Sequence, residues 1–121
     1  MGIRLLHRSE FLTHLTNWTN LTNQTSKDMN TKELMTRAAD NIRILAAAAV
    51  EKAKSGHPGG AMGGADFINV LFAEFLEYDP ENPQWEARDR FFLDPGHMSP
   101  MLYAQLCLAG KYTLTDLQNL R

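Results

Sequence analysis

Two histidines stand where glycine and proline free the backbone for close approach: Ser55-Gly56-His57-Pro58-Gly59-Gly60 and Asp94-Pro95-Gly96-His97-Met98-Ser99-Pro100. Imidazole changes charge near neutrality, which suits it to proton transfer and to donating a hydrogen bond to an oxyanion. Glycine beside it lets a ligand lie against the main chain. A histidine on a helical core face is ordinarily filler, whereas one on a loop between elements is placed to act. The competing reading is a tight turn whose imidazole does no more than bond a carbonyl.

Other chemistries find less support. Two histidines far apart in sequence, without Cys, Asp or Glu at ligand spacing, do not compose a zinc site. The stretch Gly59-Gly60-Ala61-Met62-Gly63-Gly64 lacks the Lys-Ser/Thr that completes a nucleotide phosphate loop, and no Ser-His-Asp arrangement is evident. Cys107, the single cysteine, lies in an apolar stretch and reads as a small buried hydrophobe. The 121 residues are 44% hydrophobic, ordinary for a globular chain of one domain or part of one. A formal net charge of -2 gives no electrostatic footprint for nucleic acid or an anionic membrane. No apolar run approaches the roughly 20 residues of a bilayer span, and no opening stretch resembles a secretory signal. A cytoplasmic location is the resulting expectation.

The elements that position the histidines follow from periodicity. Asn30 with Glu33 in the third position opens a helix, and Leu34, Ala38, Ile42, Leu45, Ala49 and Ala53 form its apolar stripe. Gly56 stops it, just before His57. Residues 62–76 are small or apolar on more than one face and predict a helix buried on several sides. The prolines of Tyr78-Asp79-Pro80-Glu81-Asn82-Pro83 mark a surface connection. Arg90-Phe91-Phe92-Leu93 reads as a short buried strand, with Gly96 and His97 just beyond it. Ser99 is the expected cap of the next helix, Pro100 its first residue and Gly110 its stop; Thr113 to Asp116 open another. A lone buried strand needs partners elsewhere, so the expected fold is α/β, a mostly helical N-terminal piece of a parallel-sheet domain. In such sheets ligands bind at the strand carboxyl ends, where helix N–H groups face anions.

Residues 1–28 differ in texture. Asn and Thr dominate, and Asn17-Trp18-Thr19, Asn20-Leu21-Thr22 and Asn23-Gln24-Thr25 each write a glycosylation acceptor pattern that means little without secretion. Arg4, His7, Arg8 and His14 suit an organellar transit peptide, but Glu10 interrupts them and serine is sparse. The reading adopted is a non-native or disordered extension over 1–28, with Met29 as the start and one partial domain over 29–121.

Residues 41–63 and the run Arg88-Asp89-Arg90-Phe91-Phe92-Leu93 leading into Gly96-His97 resemble the opening of transketolase, and the likeness extends over residues 29–121. The resemblance implies an enzyme of the pentose phosphate pathway that uses thiamine diphosphate and a divalent metal, Mg2+ or alternatively Ca2+. It moves a two-carbon ketol unit from a ketose phosphate to an aldose phosphate, and it is a homodimer. By the same resemblance His57 is the catalytic candidate, lining the substrate channel for proton transfer or hydroxyl binding, while His97 and Gly96 are cofactor-binding, beside the diphosphate. Asp94-Pro95 replaces the Ser-Asn usual before the second Gly-His. Met98-Ser99-Pro100 resembles the homodimeric pyruvate dehydrogenase component, the alternative enzyme; His57-Pro58-Gly59-Gly60 favours transketolase. A non-catalytic binding segment is the remaining alternative. The Gly-Asp-Gly motif for metal and diphosphate, and the Glu that activates the cofactor ring, do not occur here, so no metal ligand is assigned. This segment alone is expected to bind cofactor weakly or not at all, to lack turnover and to be marginally stable.

Overall fold

The computed structural model describes residues 31–119, which form a small helical unit. Helix α1 (Thr31–Ala53) is its spine. Leu34, Ala38, Ala39, Ile42, Ala46 and Ala49 are its buried residues, close to the stripe expected from the 3.6-residue period. The alanines leave neighbouring helices room to come close, and Ile42 fills the centre with no exposed surface. The expected Asn30 cap lies outside the described residues, as does the 1–28 extension. At the other end Lys54 turns to φ 50° and Gly56 to φ 118°, the second a conformation that side chains resist.

Two short helices follow: α2 (Pro58–Gly63), with proline in its first turn, and α3 (Ala65–Val70). Gly64 divides them, and Leu71–Phe75 then widens into a single π-helical turn. Asn69, almost fully buried, donates from Nδ2 to the Met35 carbonyl oxygen at 3.0 Å and so ties α3 to the start of α1. The Arg43 guanidinium meets both Asp66 and Asp40, joining the other end of α3 to mid-α1. Such half-exposed pairs orient more than they stabilise. Ala61, Ala65 and Ile68 complete the inner face. The outer face corrects one expectation: residues 62–76 are not enclosed on several sides, since Phe67 is 66% exposed and Phe75 63%. With Asp66, Val70 and Leu71 these two rings line a shallow apolar groove of about 310 Å³.

The connection through residues 76–95 is irregular yet anchored. Asp89 donates its N–H to the Glu77 carbonyl at 2.7 Å, and its carboxylate accepts the Glu77 N–H at 2.8 Å. Pro80 is fully buried. Tyr78 and Phe91 meet Phe72 edge-on, with centroids at 5.4 and 5.7 Å. Burial pushes the Tyr78 hydroxyl well above its ordinary value.

The strand expected at residues 90–93 is a second correction, because that segment has no regular structure and no strand forms among the described residues. Its alternation is real: Phe91 points inward, whereas Phe92 is 84% exposed. Extended backbone without a neighbouring strand has no ladder to join. The parallel sheet of the expected α/β architecture is therefore not among these residues.

A turn of 3-10 helix at Gly96–Met98 leads directly into α4 (Ser99–Leu108). Met98, not Ser99, takes the cap position and no side chain caps the helix; Ser99 and Pro100 are its first two residues. Met101, Ala104 and Leu108 join the core of α1. Gly110 (φ 76°) ends α4 as expected. Helix α5 (Leu114–Gln118) opens with a reciprocal cap: Thr113 Oγ1 accepts the Asp116 N–H, and Asp116 accepts the Thr113 N–H at 2.8 Å. The Thr113 N–H and, next to it, the Thr113 hydroxyl both donate to the Asp116 carboxylate and hold it below its ordinary value. No helix among the described residues is long and apolar enough to cross a membrane.

Candidate functional site

His57 occupies the cap position of α2 in extended conformation, φ -122° and ψ 115°, and its side chain makes no capping bond. The imidazole is exposed and uncommitted to the helix it precedes. Its position is fixed on both sides, by the Gly56 turn that ends α1 and by Pro58, whose ring sets the first residue of α2. His97 sits in the middle of the Gly96–Met98 turn, also exposed.

The fold brings the two motifs together at the carboxyl end of α1. A small cleft of about 50 Å³ is lined by His97, Ser99 and Pro100 on one side and by Val50, Ala53, Ser55 and Gly56 on the other. His97 thus borders the loop that ends in His57, although His57 itself is not among the lining residues. The cleft has room for a water or two and no organic cofactor, so a larger ligand would lie over it.

The glycines separate into those the chain itself requires and those it does not. Gly56 and Gly110 hold positive φ. A Cβ on Gly60 would stand 3.0 Å from Met98 Cγ, and one on Gly64 would stand 2.5 Å from Met101 Sδ, so a side chain at either position would require a methionine to give way. At Gly59 and Gly96 a Cβ would meet nothing within 4 Å, and neither has positive φ. Gly59, two residues after His57, and Gly96, directly before His97, are therefore small for no reason internal to the described chain, whereas Gly56, directly before His57, is required by its own turn. Absence of a side chain at Gly96 leaves the backbone open to close approach by an external group.

The helix N-terminus contributes less than its sequence suggests. Met98 N–H already donates to the Pro95 carbonyl at 2.8 Å, the Ser99 N–H donates to Gly96, and Pro100 has none. The 3-10 turn thus uses the Met98 and Ser99 N–H groups within its own backbone. His97 and Ser99 are side-chain donors that border the cleft at this edge. Among the described residues no group of three or more His, Cys, Asp or Glu is placed to hold a metal ion. Cys107 is fully buried, its Sγ–H directed at the Thr113 carbonyl at 3.4 Å, and takes no part.

The neighbours of both histidines pointed to positions between elements, and both are exposed there, but the contact of Met98 with Gly60 and Gly64 between the two motifs was missed. The available signal was a pair of glycines four residues apart on a short helix, a surface able to receive a long side chain.

Comparison with known proteins identifies the family. Residues 34–121 match the thiamine diphosphate binding domain of transketolase. The chain is 55% identical over 86 residues to a transketolase of Cereibacter sphaeroides, 49% over 84 residues to transketolase 1 of Escherichia coli and 48% over 91 residues to transketolase 10 of Craterostigma plantagineum. These alignments cover 71%, 69% and 74% of the chain. The chain belongs to the transketolase family, as part of its thiamine diphosphate binding domain. It spans 13% of the length of each of those three relatives.

Proposed function

We propose that this chain is the cofactor-binding opening of a transketolase, which transfers a two-carbon ketol unit between sugar phosphates in the pentose phosphate pathway. The observation that carries the reading is the convergence of the two histidine motifs, each containing a glycine, Gly59 in one and Gly96 in the other, that no contact among the described residues requires to be small. Thiamine diphosphate, when bound, supplies the nucleophilic carbon for cleaving and forming the carbon–carbon bond.

This chain's part is to bind and to move protons. His97 donates a hydrogen bond to a diphosphate oxygen, and Gly96 lets that group lie against the main chain. His57, free of the helix cap, takes a proton from a substrate hydroxyl or returns one to it. The metal ion, Mg2+ in this reading, has its ligands outside this segment. The domain that holds them completes an α/β sheet and pairs with a second copy. By the same reasoning the 121-residue chain by itself binds cofactor poorly and does not turn over, and its setting is cytoplasmic.

The test is made in the complete natural polypeptide that contains this segment. His57→Ala lowers kcat by roughly a hundredfold or more, the usual contribution of a positioned acid or base, with cofactor binding retained. His97→Ala raises the thiamine diphosphate dissociation constant by about tenfold, equivalent to one hydrogen bond to a charged group. Wild-type kcat in His57→Ala, measured in a coupled ketol-transfer assay, overturns the assignment.

A further inference from the structure

We propose that Met98 is a positioning residue: its side chain, laid along Gly60 and Gly64, sets the spacing between the loop carrying His57 and the turn carrying His97. The proposal rests on the reading of these two histidines as one site.

A Cβ on Gly60 would meet three atoms of the same side chain, Met98 Cγ at 3.0 Å, Sδ at 3.3 Å and Cε at 3.7 Å. A Cβ on Gly64 would meet Met98 Cε at 3.3 Å, besides Met101 Sδ at 2.5 Å. The methionine chain therefore runs from Gly60 toward Gly64, along a strip of helix surface that has no side chains of its own. Gly60 and Gly64 are joined by the Gly64 N–H to Gly60 carbonyl bond at 3.0 Å, so they move as one surface.

His97 immediately precedes Met98, and His57 lies three residues before Gly60 across the short helix α2. Each imidazole is thus within one turn of backbone of the contact. The 3-10 turn itself is pinned by the Met98 N–H to Pro95 carbonyl bond, so displacing the Met98 side chain displaces the turn rather than the methionine alone. Gly60 confronts Met98 near its root, at Cγ, where the chain has least freedom to swing aside. The match is one of volume, absent on one side and present on the other. It has no counterpart at Gly63, where an added Cβ meets nothing within 4 Å.

The experiment uses the complete natural polypeptide with Gly60→Ala, Met98→Ala, the double variant and Gly63→Ala as control. Two quantities are read: the ring proton resonances of His57 and His97 without ligand, and the thiamine diphosphate dissociation constant. Gly60→Ala shifts both rings and weakens cofactor binding by about tenfold, near the low end of the cost of overpacking. Met98→Ala, which empties the strip, also shifts them. The double variant returns both rings toward wild type and recovers binding to within about threefold, a compensation that independent sites do not show. Gly63→Ala moves neither quantity.

If Gly60→Ala leaves the His97 ring unmoved, or if the two substitutions add instead of compensating, the proposal is overturned. Should Gly60→Ala not fold, Met98→Ala and Met98→Leu serve in its place: loss with alanine and near-retention with leucine support the proposal, and equal loss overturns it. Failure of the transketolase reading has a different signature, with the rings still coupled through Met98 but ketol transfer indifferent to His57→Ala.

Discussion

Cys107 and the two histidines show how surroundings decide which side chain is open to reagents: the thiol is buried and both imidazoles are exposed. Burial, with the Asp116 carboxylate a smaller contributor, pushes the Cys107 thiol up to about 11, so it stays protonated at neutral pH. Iodoacetamide at pH 8 is expected to leave Cys107 unmodified in the folded protein and to alkylate it promptly in denaturant, with mass spectrometry reporting the difference. Fast labelling of the native form would contradict its burial. His57 and His97 are exposed, and both were legible because glycine and proline surround them. The inert role of Cys107 was legible too, from its apolar neighbours. Met98 was not: what makes it matter is an empty strip on a distant helix, and periodicity along one segment carries no information about volume on another.

At the level of elements, stops and starts were easier to read than pairing. Gly56, Gly110 and the Thr113–Asp116 cap act locally, through backbone angles and hydrogen bonds within a few residues, and all three took the expected place. Residues 90–93 were misread because an apolar run bounded by turn residues does not state whether another strand lies alongside. The helix over 62–76 is divided at Gly64 and open on its outer face, neither of which the apolar pattern alone states. The Gly56 turn gives the sharpest prediction at this scale. Gly56→Ala forces a side chain to φ 118° and is expected to cost about 1 kcal/mol or more, a loss of roughly 4–8 °C in Tm for a domain of this size. Because His57 is the next residue, the same variant disturbs its ring. An unchanged melting curve would mean that the turn has another conformation.

For the molecule as a whole, the apolar groove on α3 and the π-helical turn is the feature that composition alone could not locate. Phe67 and Phe75 each leave more than half their surface in water, and such a patch favours association of the isolated chain. Phe67→Ser with Phe75→Ser is expected to raise the concentration at which light scattering begins while changing stability little, since neither ring fills the core. Unchanged scattering would point to a different sticky surface, with Phe92 the next to test. The family assignment came from the ordered motifs over most of the organised chain, whereas no strand of the expected architecture forms among the described residues. The paired bonds between Glu77 and Asp89 have a practical consequence. They make the segment between them a closed handle, so a peptide tag or fluorescent reporter spliced between Glu81 and Asn82, both exposed, hangs from a clasp already fastened at its base.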